Sequence, residues 1–226
     1  MPLVPLRRAV GVGLLTALGS RSVLAASLAW FVVLFGSYAS DAGPQLAAMC
    51  FTAAFLFPVA AWATAAQLAA MSPDVRALLT AASGRRQAFI ADLVPPLAWV
   101  AVASLLGFIA NQVLDAHPLG VQHPLAWQRR ALGLLLHIVL GSSGVALALV
   151  GHARQLTRGT TGLLVLGVAM VSVLLPLLPP EGPVLRAWAD AQRQPSGFEQ
   201  VWALAGPLLV TALLLSVAWI WRRHRL

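Results

Sequence analysis

The sequence predicts an all-α integral membrane protein. It has six transmembrane helices, an N-terminal interfacial helix, a short cytoplasmic helix between spans two and three, and a short outer helix between spans five and six. Three observations predict this fold. Of the 226 residues 59% are hydrophobic and only 10% charged, and the mean hydropathy is +0.82. A soluble domain carries about 25% charged residues, so this chain has too little charge to cover a water-facing surface, and a disordered chain is excluded with it. The uncharged residues also come in runs of membrane length: 19 between Arg21 and Asp41, 32 between Asp41 and Asp74, 22 between Asp92 and Asp115, 23 between Arg130 and Arg154, 22 between Arg158 and Glu181, and 22 between Glu199 and Arg222. About 20 helical residues cross the hydrocarbon core. Finally, runs such as 28–36 and 163–178 show no alternation of apolar with polar residues, which argues against outer-membrane strands.

Taken in order, residues 2–20 carry Arg7 and Arg8 ahead of an apolar run that Arg21 ends too early for a crossing. This segment therefore lies at the inner face as an interfacial helix. Spans are expected at about 22–40, 44–70, 88–114, 131–151, 161–178 and 199–221, all in a single domain covering 1–226. Ser40-Asp41-Ala42-Gly43-Pro44 makes a tight turn after the first span. Span two holds Phe51, Phe55, Phe57, Trp62 and the single Cys50; a lone cysteine can form no disulfide within the chain and is read as a small buried apolar residue.

The stretch after span two has helix signals at both ends. Ser72 suits an N-cap, Pro73 the first helical position and Asp74 the positive end of the dipole; Gly84 suits the stop, with Arg85 and Arg86 near the negative end. Val75, Leu78, Leu79 and Ala82 share one apolar face. Such a helix either anchors the loop at the interface or is offered to a cytoplasmic partner; a mere connector needs no caps.

Asp92 sits close to the inner end of span three, where Arg85 or Arg86 is expected to pair with it. Pro95-Pro96 is expected to kink that span, and Asn111 to make an interhelical hydrogen bond. His117 and His123 on a Pro-rich outer loop lack further ligands for a metal. Pro176, Pro179, Pro180 and Pro183 break the end of span five, and residues 184–192 have helical composition before Pro195-Ser196-Gly197. Trp188 and Trp202 fit an outer aromatic belt, and Trp219 and Trp221 an inner one. No repeat is visible.

All 15 basic residues are Arg, and the net charge is +8. The positive-inside rule accounts for this excess without nucleic acid. With the N-terminus in the cytoplasm, Arg7, Arg8, Arg21, Arg76, Arg85, Arg86, Arg154, Arg158, Arg222, Arg223 and Arg225 lie inside, eleven against the four outside (Arg129, Arg130, Arg186 and Arg193). Both termini are therefore expected in the cytoplasm and the chain in the cell membrane.

Gly141-Ser142-Ser143-Gly144 in span four resembles the serine motif of the rhomboid intramembrane proteases. That chemistry needs a His on a neighbouring span to take the Ser proton. Neither span two nor span six has one, and His137 lies on the same helix about 120° from Ser143. The motif reads instead as small residues for close packing, with Gly133 and Gly151 as further examples. With no Lys and no soluble stretch of domain size, the chain has no phosphate-gripping loop and no nucleotide-binding domain. The selectivity-filter sequence or charge ring of a channel is missing too, and Pro95-Pro96 has no counterpart in a second half, as a secondary transporter would show.

The order of these parts resembles the permease subunits of ABC-2-type exporters over nearly the whole chain. Residues 77–92 look like that family's coupling region, with Asp74 in the place of its early acidic residue. A haem-exporter permease of cytochrome c maturation is similar in length and topology. A non-transporting scaffold or accessory subunit is the rival reading, and it would need no capped coupling helix. The resemblance implies a membrane half-transporter that is not itself an enzyme and holds no cofactor. Two permeases, identical or different, would pair, and separate cytoplasmic ATPase subunits would bind ATP and Mg. The ATPase-coupling residues would be Asp74, Val75, Arg76, Leu78, Leu79, Arg85 and Arg86. The cargo would be a drug, antibiotic, peptide or lipid moving along a largely apolar path, for which Phe51, Phe55 and Trp62 are the candidate lining residues.

Overall fold

The computed structural model describes residues 6–38, 45–114, 127–174 and 197–224. The described residues form eight helices and no strand: α1 Leu6–Leu18, α2 Arg21–Tyr38, α3 Gln45–Ala70, α4 Pro73–Ser83, α5 Arg85–Leu114, α6 Trp127–Ala153, α7 Arg158–Leu174 and α8 Gly197–His224. Five of them (α2, α3, α5, α6 and α8) are long and apolar enough to cross a membrane, and the chain is an all-α membrane protein. The helix α7, where a crossing over 161–178 is expected, has 17 residues as described, and 175–178 lie outside the described residues. The turn at 40–44, the loop with His117 and His123 and the segment 184–192 with Trp188 also lie outside them.

α3 and α6 form the centre, with α8 against α6 and α2 and α5 against α3. Both central helices are mostly buried, whereas only about a third or less of α2, α5 and α8 is fully buried. Small residues let the central pair approach. A Cβ at Gly144 of α6 would run into the carbonyl oxygen of Phe57 and lie 3.1 Å from the Ala61 nitrogen, both backbone of α3. Backbone cannot rotate away as a side chain does, so Gly144→Ala is expected to destabilise by about 1–3 kcal/mol. A thermal melt in detergent that matches wild type would show that the two helices have room to spare.

Hydrogen bonds then fix the register between helices. The Trp30 indole donates to the Ala103 carbonyl at 3.1 Å, Trp99 donates to Ser27 Oγ at 3.0 Å, and Asn111 donates to Tyr38 Oη at 3.3 Å, so three bonds stitch α2 to α5. The third is the interhelical bond expected of Asn111. α5 runs as one helix through Pro95 and Pro96. It begins at Arg85 rather than near 88, because Gly84, at φ 80°, takes a left-handed backbone that ends α4 and lets the next helix start at once. Arg85 and Arg86 therefore open α5 instead of closing α4.

Candidate functional site: the arginine cluster behind helix α4

α4 is built as its sequence requires. Ser72 Oγ accepts the Val75 N–H at 3.3 Å, Pro73 occupies the first turn with Asp74, and the Gly84 N–H donates to the Thr80 carbonyl at 2.9 Å. With its ends satisfied, a helix of 11 residues needs only one packed side to hold its shape.

That packed side carries Arg76. Its guanidinium donates to the Leu68 carbonyl in the last turn of α3, a favourable place for a cation near a helix C-terminus. Its Nε lies 3.7 Å from Asp92 Oδ1, and Arg222 of α8 donates to Asp92 Oδ2. Asp92, two turns inside α5, is only 5% exposed. One buried carboxylate thus joins α4, α5 and α8, with α3 tied in through Leu68. Asp92 does not pair with Arg85 or Arg86 as expected. Arg85 lies seven residues earlier on the same helix, about 10 Å along its axis, and its guanidinium turns instead to the Arg223 carbonyl at 3.2 Å. Burial pushes the pKa of Arg76 below its ordinary value; Asp92 opposes this and Arg222 adds to it. The guanidinium nevertheless stays charged at any working pH.

Aromatic rings pack around these cations. Arg154, just past α6, stacks over the Trp221 ring at 4.4 Å, and Phe89 meets Trp219 edge-on at 5.3 Å. Thr157 caps the following helix by accepting the Thr160 N–H at 3.1 Å. Between α4, the start of α5, the α6–α7 connection and the end of α8 lies a cavity of about 910 Å³, lined among others by Arg76, Thr80, Arg85, His152 and Arg222.

Part of α4 is exposed: Leu78 is 69% and Val75 40% exposed, whereas Leu79 is half-buried. At about 100° per residue, Leu78 points about 160° away from Arg76, while Leu79 lies only about 60° from Arg76, on the packed side with the buried Ser83. Arg76, Ala77, Thr80 and Ala81 line the cavity. Asp74, Arg85 and Arg86 are exposed. The expected coupling residues thus divide into two faces: Val75 and Leu78 turn outward, while Arg76 holds the helix down.

The aromatic residues of span two also share one feature. From Ala48 to Ala69 α3 is buried except along one stripe: Phe51, Phe55, Pro58, Trp62, Ala65 and Ala69. Phe51 and Phe55 contact each other with centroids 4.7 Å apart. Trp62 borders a groove of about 330 Å³ shared with α2 and α7, where Pro58, Thr161 and Val165 also lie. Phe51 and Phe55 lie on the stripe but outside the groove.

The glycine–serine motif is absorbed in packing. Ser143 donates within hydrogen-bond reach of the Val139 carbonyl at 3.0 Å and meets Thr211 Oγ1 of α8 at 2.7 Å. His137 faces α3 instead: its Nδ1 is 2.7 Å from the Gly133 carbonyl and its Nε2 is 2.9 Å from Thr52 Oγ1. Ser143 and His137 therefore join α6 to different helices. Among the described residues no cluster of three or more His, Cys, Asp or Glu is placed to hold a metal. Comparison with family models, curated proteins and solved structures finds no match for the chain.

Proposed function

We propose that the chain is the permease subunit of an ATP-driven ABC-type exporter. It lies in the cell membrane with both termini in the cytoplasm and is driven by a separate ATPase that grips α4. The observation that carries this reading is the exposed apolar side chain of Leu78, with Val75 beside it, on a helix held from its far side through Arg76. An interfacial anchor would need its apolar face in lipid but would not need an ion-paired brace through Arg76, Asp92 and Arg222 to two other helices. A handle that transmits force needs both. Movement imposed at Val75 and Leu78 passes through the Arg76 side chain to α5 and α8 without a flexible linker between.

The open stripe of α3 is proposed as part of the path for an apolar or amphipathic cargo, with a second permease facing it. A central helix that presents Phe51, Phe55 and Trp62 outward supports this. A largely uncharged wall suits drugs, antibiotics, lipids or apolar peptides.

The reading is tested by co-expression with the products of the neighbouring genes: an ABC-type ATPase should co-purify with the permease, and pull-downs that bring down no ATPase would contradict the reading. Orientation is tested separately in a Cys50→Ala background. Cysteine placed at Ala81 should react with an impermeant maleimide only after permeabilisation, and cysteine at Trp127, 73% exposed at the start of α6, should react in intact cells. The reverse pattern would place α4 outside, where no ATPase reaches it.

A further inference from the structure

We infer that the cavity between α4, α5, α6 and α8 is a binding site for a phosphate-bearing anion, supplied by the headgroup of an anionic lipid. The proposal goes beyond the transport reading and rests on the cavity alone, so it can be tested on the permease without an ATPase.

Charge balance is the first ground. Three guanidinium groups, Arg76, Arg85 and Arg222, line the cavity. Among the described residues, the carboxylate that reaches them is that of Asp92, which is shared between Arg76 and Arg222. Arg85 donates to a neutral acceptor, the Arg223 carbonyl, at 3.2 Å. The set therefore carries an excess of positive charge where α5 and α8 meet the membrane interface. Arg76 and Arg222 are partly buried and share a single carboxylate, while Arg85 is exposed; a partly buried cation short of a counter-charge is costly, and an anion settling beside the pair removes that cost. Planar guanidinium groups bind phosphate oxygens with paired N–H donors.

The remaining walls decide the source of the phosphate. Ala77, Ala81, Phe89, Leu149, Leu156 and Ala218 make most of the lining apolar. A free phosphate ion gains nothing from such walls, whereas a diacyl lipid lays its glycerol and upper acyl carbons on them while its headgroup meets the arginines. Basic pockets between helix ends at the cytoplasmic surface take anionic headgroups in this way. About 910 Å³ exceeds what one inorganic ion fills. A lipid seated here would touch α4 along Ala77, Thr80 and Ala81.

The test uses the purified full-length protein in neutral detergent, titrated with phosphatidylglycerol or with phosphatidylcholine and read by native mass spectrometry. Inorganic phosphate serves as competitor. Phosphatidylglycerol should be retained in a saturable manner and at least fivefold more strongly than phosphatidylcholine. Arg85→Gln should weaken that retention roughly fivefold, the effect of one basic residue on an anionic lipid. Ala81→Phe should abolish it by filling the cavity without changing charge. Residues 85 and 81 are both exposed, and thermal melts of the two variants confirm that they fold. Binding of inorganic phosphate, sensitive to Arg85→Gln, with no lipid retained would keep the anion site and move its source to solution. Equal retention of the two lipids without phosphate binding would overturn the proposal, as would phosphatidylglycerol retention unchanged in both variants.

Discussion

Asp92→Ala should destabilise the protein by about 3–5 kcal/mol, among the largest effects expected of any single substitution here. The carboxylate is almost wholly buried, and it is the partner of both Arg76 and Arg222, whose side chains are 18% and 13% exposed. Its removal leaves two cations facing each other at the inner edge of three helices with nothing between them. Arg222→Met should cost less, because Asp92 keeps Arg76. The triple change Asp92→Ala, Arg76→Met and Arg222→Met should recover much of the loss, since replacing a buried ionic set by apolar side chains is often neutral or better. Thermal unfolding of the three variants beside the wild type in one detergent reads all of this. A single Asp92→Ala that costs under about 1 kcal/mol would mean that water already screens the set.

Local signals were legible in the sequence, and distant pairings were not. The caps of α4 were readable because Ser72, Pro73, Asp74 and Gly84 act on backbone groups within one turn of themselves. That several apolar helices of membrane length are present was readable because hydrocarbon thickness dictates run length, and the central α3–α6 contact was foreshadowed by the glycines of α6. The partner of Asp92 was missed. Arg85 and Arg86 are its neighbours in sequence, but Arg222 lies 130 residues away and only the packing of α8 on the bundle brings it there. The same holds for the bond between Thr52 and His137 and for the Trp30 bond to Ala103, both long-range contacts with no periodic signature. The stripe on α3 was half legible. Phe51, Phe55 and Trp62 stand out by size, but that they share the one unburied face follows only from how closely α2, α5, α6 and α7 surround the helix.

The coupling role of α4 turns on one exposed side chain. Leu78 is bare on a capped helix, so Asp at this position should neither unfold α4 nor disturb the arginines behind it. Buried in a partner's cleft, a leucine contributes about 1.5–3 kcal/mol. An aspartate there would lose that and add the cost of a buried charge, so binding should fall by roughly a hundredfold or more. Leu79 is a poorer probe, since it is half-buried within the chain itself. Val75→Asp, one turn earlier on the same face, should give a smaller loss, and Asp74→Ala should chiefly slow association. The most direct measurement is co-purification of Leu78→Asp with the proposed ATPase partner, alongside a melt of this chain alone. The expected result is loss of the ATPase with an unchanged melt; full retention of the ATPase with export intact would contradict the assignment of α4 as the coupling helix.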